Sequence, residues 1–149
     1  MKELNKAVEV AMVCAAQDGL DRDEMAAACS SITSVPMLTS AFAEMLEEDE
    51  IDVLEAMETI IEGLEGFESW ELTELNQAYM DEASIVLGDR PSINNICLAL
   101  CMVICSGDQE VSHEEENALN MVAQNLSNLN QDLVNAAAQM LLSGIDGLE

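Results

Sequence analysis

The chain has 149 residues, half of them hydrophobic but only 3% aromatic, and thirty acids against four bases give it a formal charge of -26. That length suits a single domain spanning 1–149, able to bury roughly 70% of its unfolded surface without covalent staples. The charge argues against nucleic-acid binding, because Lys2, Lys6, Arg22 and Arg90 cannot assemble a phosphate-neutralising patch.

The same field attracts cations and basic protein surfaces and repels anionic membranes. It equally serves solubility or adaptation to a salty cytoplasm, and the two readings stand side by side. Cys14, Cys29, Cys97, Cys101 and Cys105 are odd in number and sit in apolar helical pattern, which reads as reduced, buried thiols in a cytoplasmic protein. The N-terminus lacks a secretory pattern, since Glu9 interrupts its apolar part. The longest apolar run, Ile96 to Cys105, has ten residues where a membrane span needs about 20, so no membrane insertion is expected.

The spacing predicts a first helix from about Glu3 to Ala16, apolar on most sides and therefore surrounded by neighbours. Gly19 closes it, and the capping box of Asp21 and Glu24 opens a second helix, Arg22 to about Ser31, which Ser34-Val35-Pro36 breaks. Thr39 or Ser40 then opens a short helix with Phe42, Met45 and Leu46 inward. The acidic run from Glu47 to Glu50 reads either as a solvated connection or as more helix. Beyond it Ile51, Leu54, Met57, Ile61 and Leu64 recur at helical spacing with acids opposite. Gly63 and Gly66 mark the mid-chain break. Ser69 caps a further helix through Leu87, with Leu72, Leu75, Tyr79, Ala83 and Val86 as its stripe. After the turn Gly88-Asp89-Arg90, Pro91 suits the first position of a buried helix running through Ile93 to Ser106. Past Leu126 a last helix turns Leu133, Ala136, Ala137, Met140 and Leu141 inward, and the tail frays.

One stretch indexes the rest. From Cys101 to Leu126 the sequence reads helix, tight turn, helix: the apolar run stops at Gly107, and Ser112 with Glu115 three residues on forms a capping box. Glu115, Leu119, Val122 and Leu126 share one stripe, so the spacing turns this carboxylate toward the core, with Asp108 at the mouth of the turn. The first helix-turn-helix overlays on it once one residue is omitted from its turn: Asp18 falls on Asp108, Asp21 on Ser112 and Glu24 on Glu115. The halves, about 3–64 and about 69–142, thus read as an internal repeat, and two such halves commonly pack about a pseudo-two-fold axis. The two turns either approach each other or lie at opposite ends.

A small apolar helix ending in A-x-x-D-G, then a hydrophobic residue, an N-cap and a Glu, resembles the TerB family of tellurite-resistance-associated proteins, and with it the N-terminal domain of a membrane-anchored DnaJ-type co-chaperone. The resemblance covers both helix-turn-helix units, and the middle, Leu38 to Leu87, by helix count; Gln109 stands where the pattern has a second Gly. It implies an all-α domain of about seven to eight helices with pseudo-two-fold symmetry. It also implies that Asp18, Glu24, Asp108 and Glu115 are candidate metal ligands.

Their chemistry is that of hard oxygen donors, suited to Ca²⁺, Mg²⁺ or Mn²⁺. The same residues also have ordinary work as caps and turn formers. No EF-hand is present, because Leu20 and Arg22 stand where oxygen ligands are required. Cys97, Cys101 and Cys105 step by four along one face; core packing is the ordinary reading, and the spacing also suits a soft metal. His113, the single histidine, lies beside acids with no nucleophile placed by motif, and no phosphate loop occurs, so an enzyme is not expected. The sequence thus leads to a non-enzymatic, divalent-cation-binding sensor or adaptor in a stress response, with an ion-independent module docking a basic partner as the alternative.

Overall fold

Helices that are apolar nearly all round belong at the centre of a fold, and two of them organise this one. The computed structural model describes residues 2–15, 40, 42–66, 74–105 and 113–136, and every regular element among them is a helix. These are α1 (Lys2–Ala15), α2 (Ala43–Glu48), α3 (Val53–Glu65), α4 (Gln77–Leu87), α5 (Pro91–Cys105) and α6 (His113–Asn125), with 131–136 helical again. The fold is all-α. On α1, Leu4, Ala7, Val8 and every residue from Val10 to Cys14 are fully buried; on α5 the buried run extends from Ser92 to Cys101 and includes Val103. Among the described helices these two make the most extensive contact, and α3, α4 and α6 pack around α1 while α2 lies on α5 and α3. No described helix is long and apolar enough to cross a membrane.

Polar side chains set the helix starts. Asp52 accepts from the Leu54 amide at 2.8 Å and the Glu55 amide at 3.3 Å to cap α3. Asn76 accepts from the Tyr79 amide at 2.9 Å, so α4 starts at Gln77 after an extended approach from Glu74. The expected cap at Ser69 and the stripe position Leu72 lie outside the described residues. Pro91 is the first residue of α5, as its fixed φ favours. Before it Gly88 takes φ 74°, a conformation cheap only for glycine. The cap of α5 comes from elsewhere in the chain: Asp49 reaches across from the end of α2 and accepts from the Ser92 amide at 3.0 Å and from the Ser92 hydroxyl.

Four expectations shift. The short helix starts at Ala43 with Phe42 at its N-cap, although Phe42, Met45 and Leu46 do face inward, and its acidic continuation ends at Asp49 with Glu50 at φ 62°. Ile51, Met57, Ile61 and Leu64 meet the core as expected, but on α3 Ala56, Thr59, Ile60 and Gly63 are buried with Leu64, and Leu54 is 66% exposed. The reason is Gly63, which lies inside the helix as a contact point: a Cβ there would come within 3.0 Å of Val8 Cγ1, so close approach to α1 rotates the helix. Only Gly66 ends it. In the last helical segment Leu133 packs against the core as expected, while Val134 is fully buried and Ala136 exposed, so the face is partly rotated from the expected one; Ala137, Met140 and Leu141 lie outside the described residues.

The start of α5 is held by a knot of amides. Asn94 Nδ2 donates to the carbonyls of Gly88 at 3.3 Å and Ser127 at 3.1 Å. Asn95 Nδ2 donates to the carbonyls of Pro91 at 2.6 Å and Asn128 at 3.1 Å, while its Oδ1 accepts from the Asn130 amide at 2.7 Å. Asn128, at φ 60°, donates to the Asp89 carbonyl at 2.8 Å, and Asn130 caps the next helical turn through the Leu133 amide at 3.1 Å. Two chain reversals, 88–91 and 126–130, are thereby fastened to one helix end.

Candidate functional site

The repeated acidic turns follow α1 and α5, so the disposition of those helices decides what the turns can share. Asp18, Glu24 and Asp108 lie outside the described residues, as do Asp21, Ser112 and the second predicted helix. Glu115 is the third residue of α6, which opens at His113, directly after the expected cap; its side chain is outside the described set. On the stripe continuing from it Val122 is fully buried, and Leu119 and Leu126 are half-buried.

A sulfur contact lies between the two central helices: Cys97 Sγ on α5 stands 3.9 Å from the Ala7 carbonyl oxygen on α1.

A second group of chemistry-bearing residues lies on the flank of this pair. Tyr79 on α4 donates its phenol to Glu9 Oε2 on α1 at 2.9 Å, and Lys6 pairs with the same oxygen while its Nζ stands 5.8 Å from the Tyr79 ring centroid. Burial, then the charge and the hydrogen bond of Glu9, push the Tyr79 phenol well above its usual range, and the nearby Cys97 and Cys101 thiols add to this. The hydrogen bonds with Cys14 and Cys97, then burial, hold the Cys101 thiol well above the usual thiol range. The group therefore keeps its protons: neither phenolate nor thiolate is presented as a nucleophile. Its work is to fasten α4 to α1.

Sequence reasoning placed the thiols in the core, and Cys14, Cys97 and Cys101 are buried. It missed the contact of Cys97 with Ala7 on the other helix, since i, i+4 spacing reports only one helix at a time. It missed Glu9–Tyr79 as well, although an acid interrupting an apolar helix was a signal that it needed a partner. Cys29 lies outside the described residues, as does the side chain of Cys105. Among the described residues no group of three or more His, Cys, Asp or Glu side chains is arranged to hold a metal ion.

The acids form a surface of their own. Glu55, Glu58, Glu62 and Glu65 line the exposed side of α3, with Glu47, Glu48 and Glu50 exposed just before it. Lys6–Glu9 is the one ion pair among the described residues, so none of these is neutralised by a neighbour there. Comparison with protein-family models, curated proteins and solved structures finds no match to this chain.

Proposed function

We infer that this chain is a non-enzymatic, TerB-like helical domain that binds a divalent cation through Asp18, Glu24, Asp108 and Glu115 and serves as a sensor or adaptor in a stress response. The observation that supports the reading is the repeated Asp/Glu pattern of the sequence, one copy following α1 and one following α5, two helices that pack against each other. Carboxylate oxygens from two turns make a donor set for Ca²⁺, Mg²⁺ or Mn²⁺. Binding of the ion would join the two halves of the chain, and that joining is the signal a partner reads.

The test is the thermal midpoint in excess chelator and then with Ca²⁺, Mg²⁺ or Mn²⁺ at matched ionic strength. A cation that binds only the native state stabilises it by roughly 2.7 kcal/mol at about 100 times Kd. The expected result is a rise specific to one ion, lost in Glu115→Ala and Asp108→Ala. Parent-like responses of both variants to every cation would overturn the reading.

The exposed acidic side of α3 favours a second reading, an ion-independent module docking a basic protein surface. Salt separates the two: raising it weakens a charge-steered complex, whereas Glu115→Ala barely alters the net charge and abolishes only an ion-specific effect.

A further inference from the structure

The outward side of α3 carries an apolar strip beside its acids. Leu54 and Ile85 are the large hydrophobic residues that stand exposed among the described residues, at 66% and 81%. A single exposed apolar side chain is ordinary, and Ile85 is one: its neighbours three and four places away are Asp81, Glu82, Gly88 and Asp89. Leu54 differs, because Met57 and Ile61, each half-buried, follow it at steps of three and four on the same face. Building on the second reading above, the docking of a basic protein surface, we propose that this face takes a basic amphipathic helix of a partner protein, which seats apolar side chains on Leu54, Met57 and Ile61 and sets lysine or arginine against Glu58 and Glu65.

A helix that lies along another meets it through residues three and four apart, because those positions return to one line while the rest turn away. Leu54, Met57 and Ile61 have that spacing and span about 10 Å, or about two turns. Glu58 follows Met57 by one place and Glu65 follows Leu64 by one place, so both acids stand along the same edge of the strip, with Glu55 and Glu62 beyond them. The opposite edge turns into the core at Ile60 and Leu64. Charge is therefore offered on one side of the seam alone, and the occupant has its bases on one side too.

Other occupants fit this face less well. A second copy would lay acids on acids, since each chain has a formal charge of -26 and four bases against thirty acids. Nucleic acid and anionic membranes carry the same sign as the face. Lys6–Glu9 is the one ion pair among the described residues, so Glu58 and Glu65 keep their charge for a partner's bases. The charges attract a base of any shape; the strip is what selects a helix.

The experiment titrates a labelled synthetic peptide of about 20 residues, long enough to form a helix, with leucines alternately three and four places apart and lysines along one edge. Binding to the full-length protein is read by fluorescence anisotropy in excess chelator, so that no divalent ion contributes. Leu54→Asp is the deciding variant: it adds a negative charge, and an acid in the first turn of α3 suits the helix, so lost binding reports neither lost charge nor lost fold. It should weaken binding by about tenfold or more, the size of an interface anchor. Glu58→Gln with Glu65→Gln should weaken it by about fivefold. Glu82→Gln with Glu116→Gln, exposed acids on α4 and α6, should leave it nearly unchanged. A peptide of the same composition with its leucines dispersed should bind about tenfold more weakly or worse. Failure of the peptide to bind, or equal binding by Leu54→Asp, overturns the proposal. If Leu54→Asp binds as the parent does while Glu58→Gln with Glu65→Gln weakens binding, the basic-surface reading stands without the helix seam; if neither variant matters, both fall. A parent protein that self-associates while Leu54→Asp stays monomeric puts a second copy on the strip and also overturns the proposal.

Discussion

The two ends of α5 are held by opposite means. Toward its C-terminal half, Ile96, Leu98, Ala99, Leu100 and Val103 are buried against α1 and its neighbours, an attraction without direction that many apolar side chains of similar volume would supply. At its N-terminal turn Ser92, Asn94 and Asn95 are equally buried, yet each is held by named donors and acceptors: Asp49, Gly88, Pro91, Ser127, Asn128 and Asn130. The apolar half supplies most of the driving force for folding. The amide knot fixes which reversal meets which helix end, because a misplaced loop would leave buried amides and carbonyls without partners. Asn94 Oδ1 is the one buried side-chain oxygen or nitrogen without a hydrogen bond among the described residues, while its Nδ2 faces carbonyls and so sets the amide's orientation.

The contrast is broken most severely at Asn95. Asn95→Ala removes the donor to the Pro91 and Asn128 carbonyls and the acceptor for the Asn130 amide, at a cost of about 1–3 kcal/mol for each group that water does not reach. Urea denaturation should show that loss. One position further on, Ile96→Val should cost only about 0.5–1.5 kcal/mol, because volume rather than direction is at stake. Equal losses at the two positions would mean that the knot contributes no more than ordinary packing.

Gly63→Ala sharpens the apolar side. Val8 Cγ1, Cγ2 and Cβ stand 3.0, 3.1 and 3.2 Å from where the new methyl would be, so overpacking should cost about 1–3 kcal/mol despite alanine's better helix propensity. Val8→Ala in the same chain should recover most of it. A double-mutant cycle with no coupling between the two sites would show that α3 does not press on α1 through this pair.

These positions also mark how far the sequence could be read. Hydrophobic periodicity located α1 and α5 and the first residue of α5, because an apolar run and a proline act through local sterics and burial. On α3 it placed Ile51, Met57, Ile61 and Leu64 on the core side but also took Leu54 as buried and Gly63 as a break. There the deciding contact is Val8, more than fifty residues away, and a glycine that admits a neighbour is indistinguishable in sequence from one that ends a helix. The knot was illegible for the same reason. Asn94 and Asn95 look like polar interruptions of an apolar run until the 126–130 reversal is set beside them. Of the candidate site, the sequence supplied the repeat and its four acids. That α1 and α5, which precede those acids, pack against each other had to come from cross-helix contacts such as Cys97 with Ala7, which no spacing rule reports.

The most specific expected effect is a change of slope in alkali. Tyr79 and Cys101 both bind their protons more tightly in the folded chain than in the unfolded one. Stability therefore falls as pH rises: the Cys101 contribution declines once pH passes about 8.5, where an unfolded thiol ionises, and the Tyr79 contribution once it passes about 10. Tyr79→Phe keeps the ring but removes the phenol and its bond to Glu9, so near pH 7 it should cost about 1.5–3 kcal/mol, the range for a hydrogen bond to a charged group. Above pH 10 the parent alone carries the tyrosine slope, so the stability gap between the two proteins should narrow. Urea midpoints from pH 7 to about pH 11 decide it. Convergence above pH 10 would place a buried, protonated phenol at the α1–α4 contact, and parallel curves would mean that Tyr79 ionises as readily in the folded protein as in the unfolded chain.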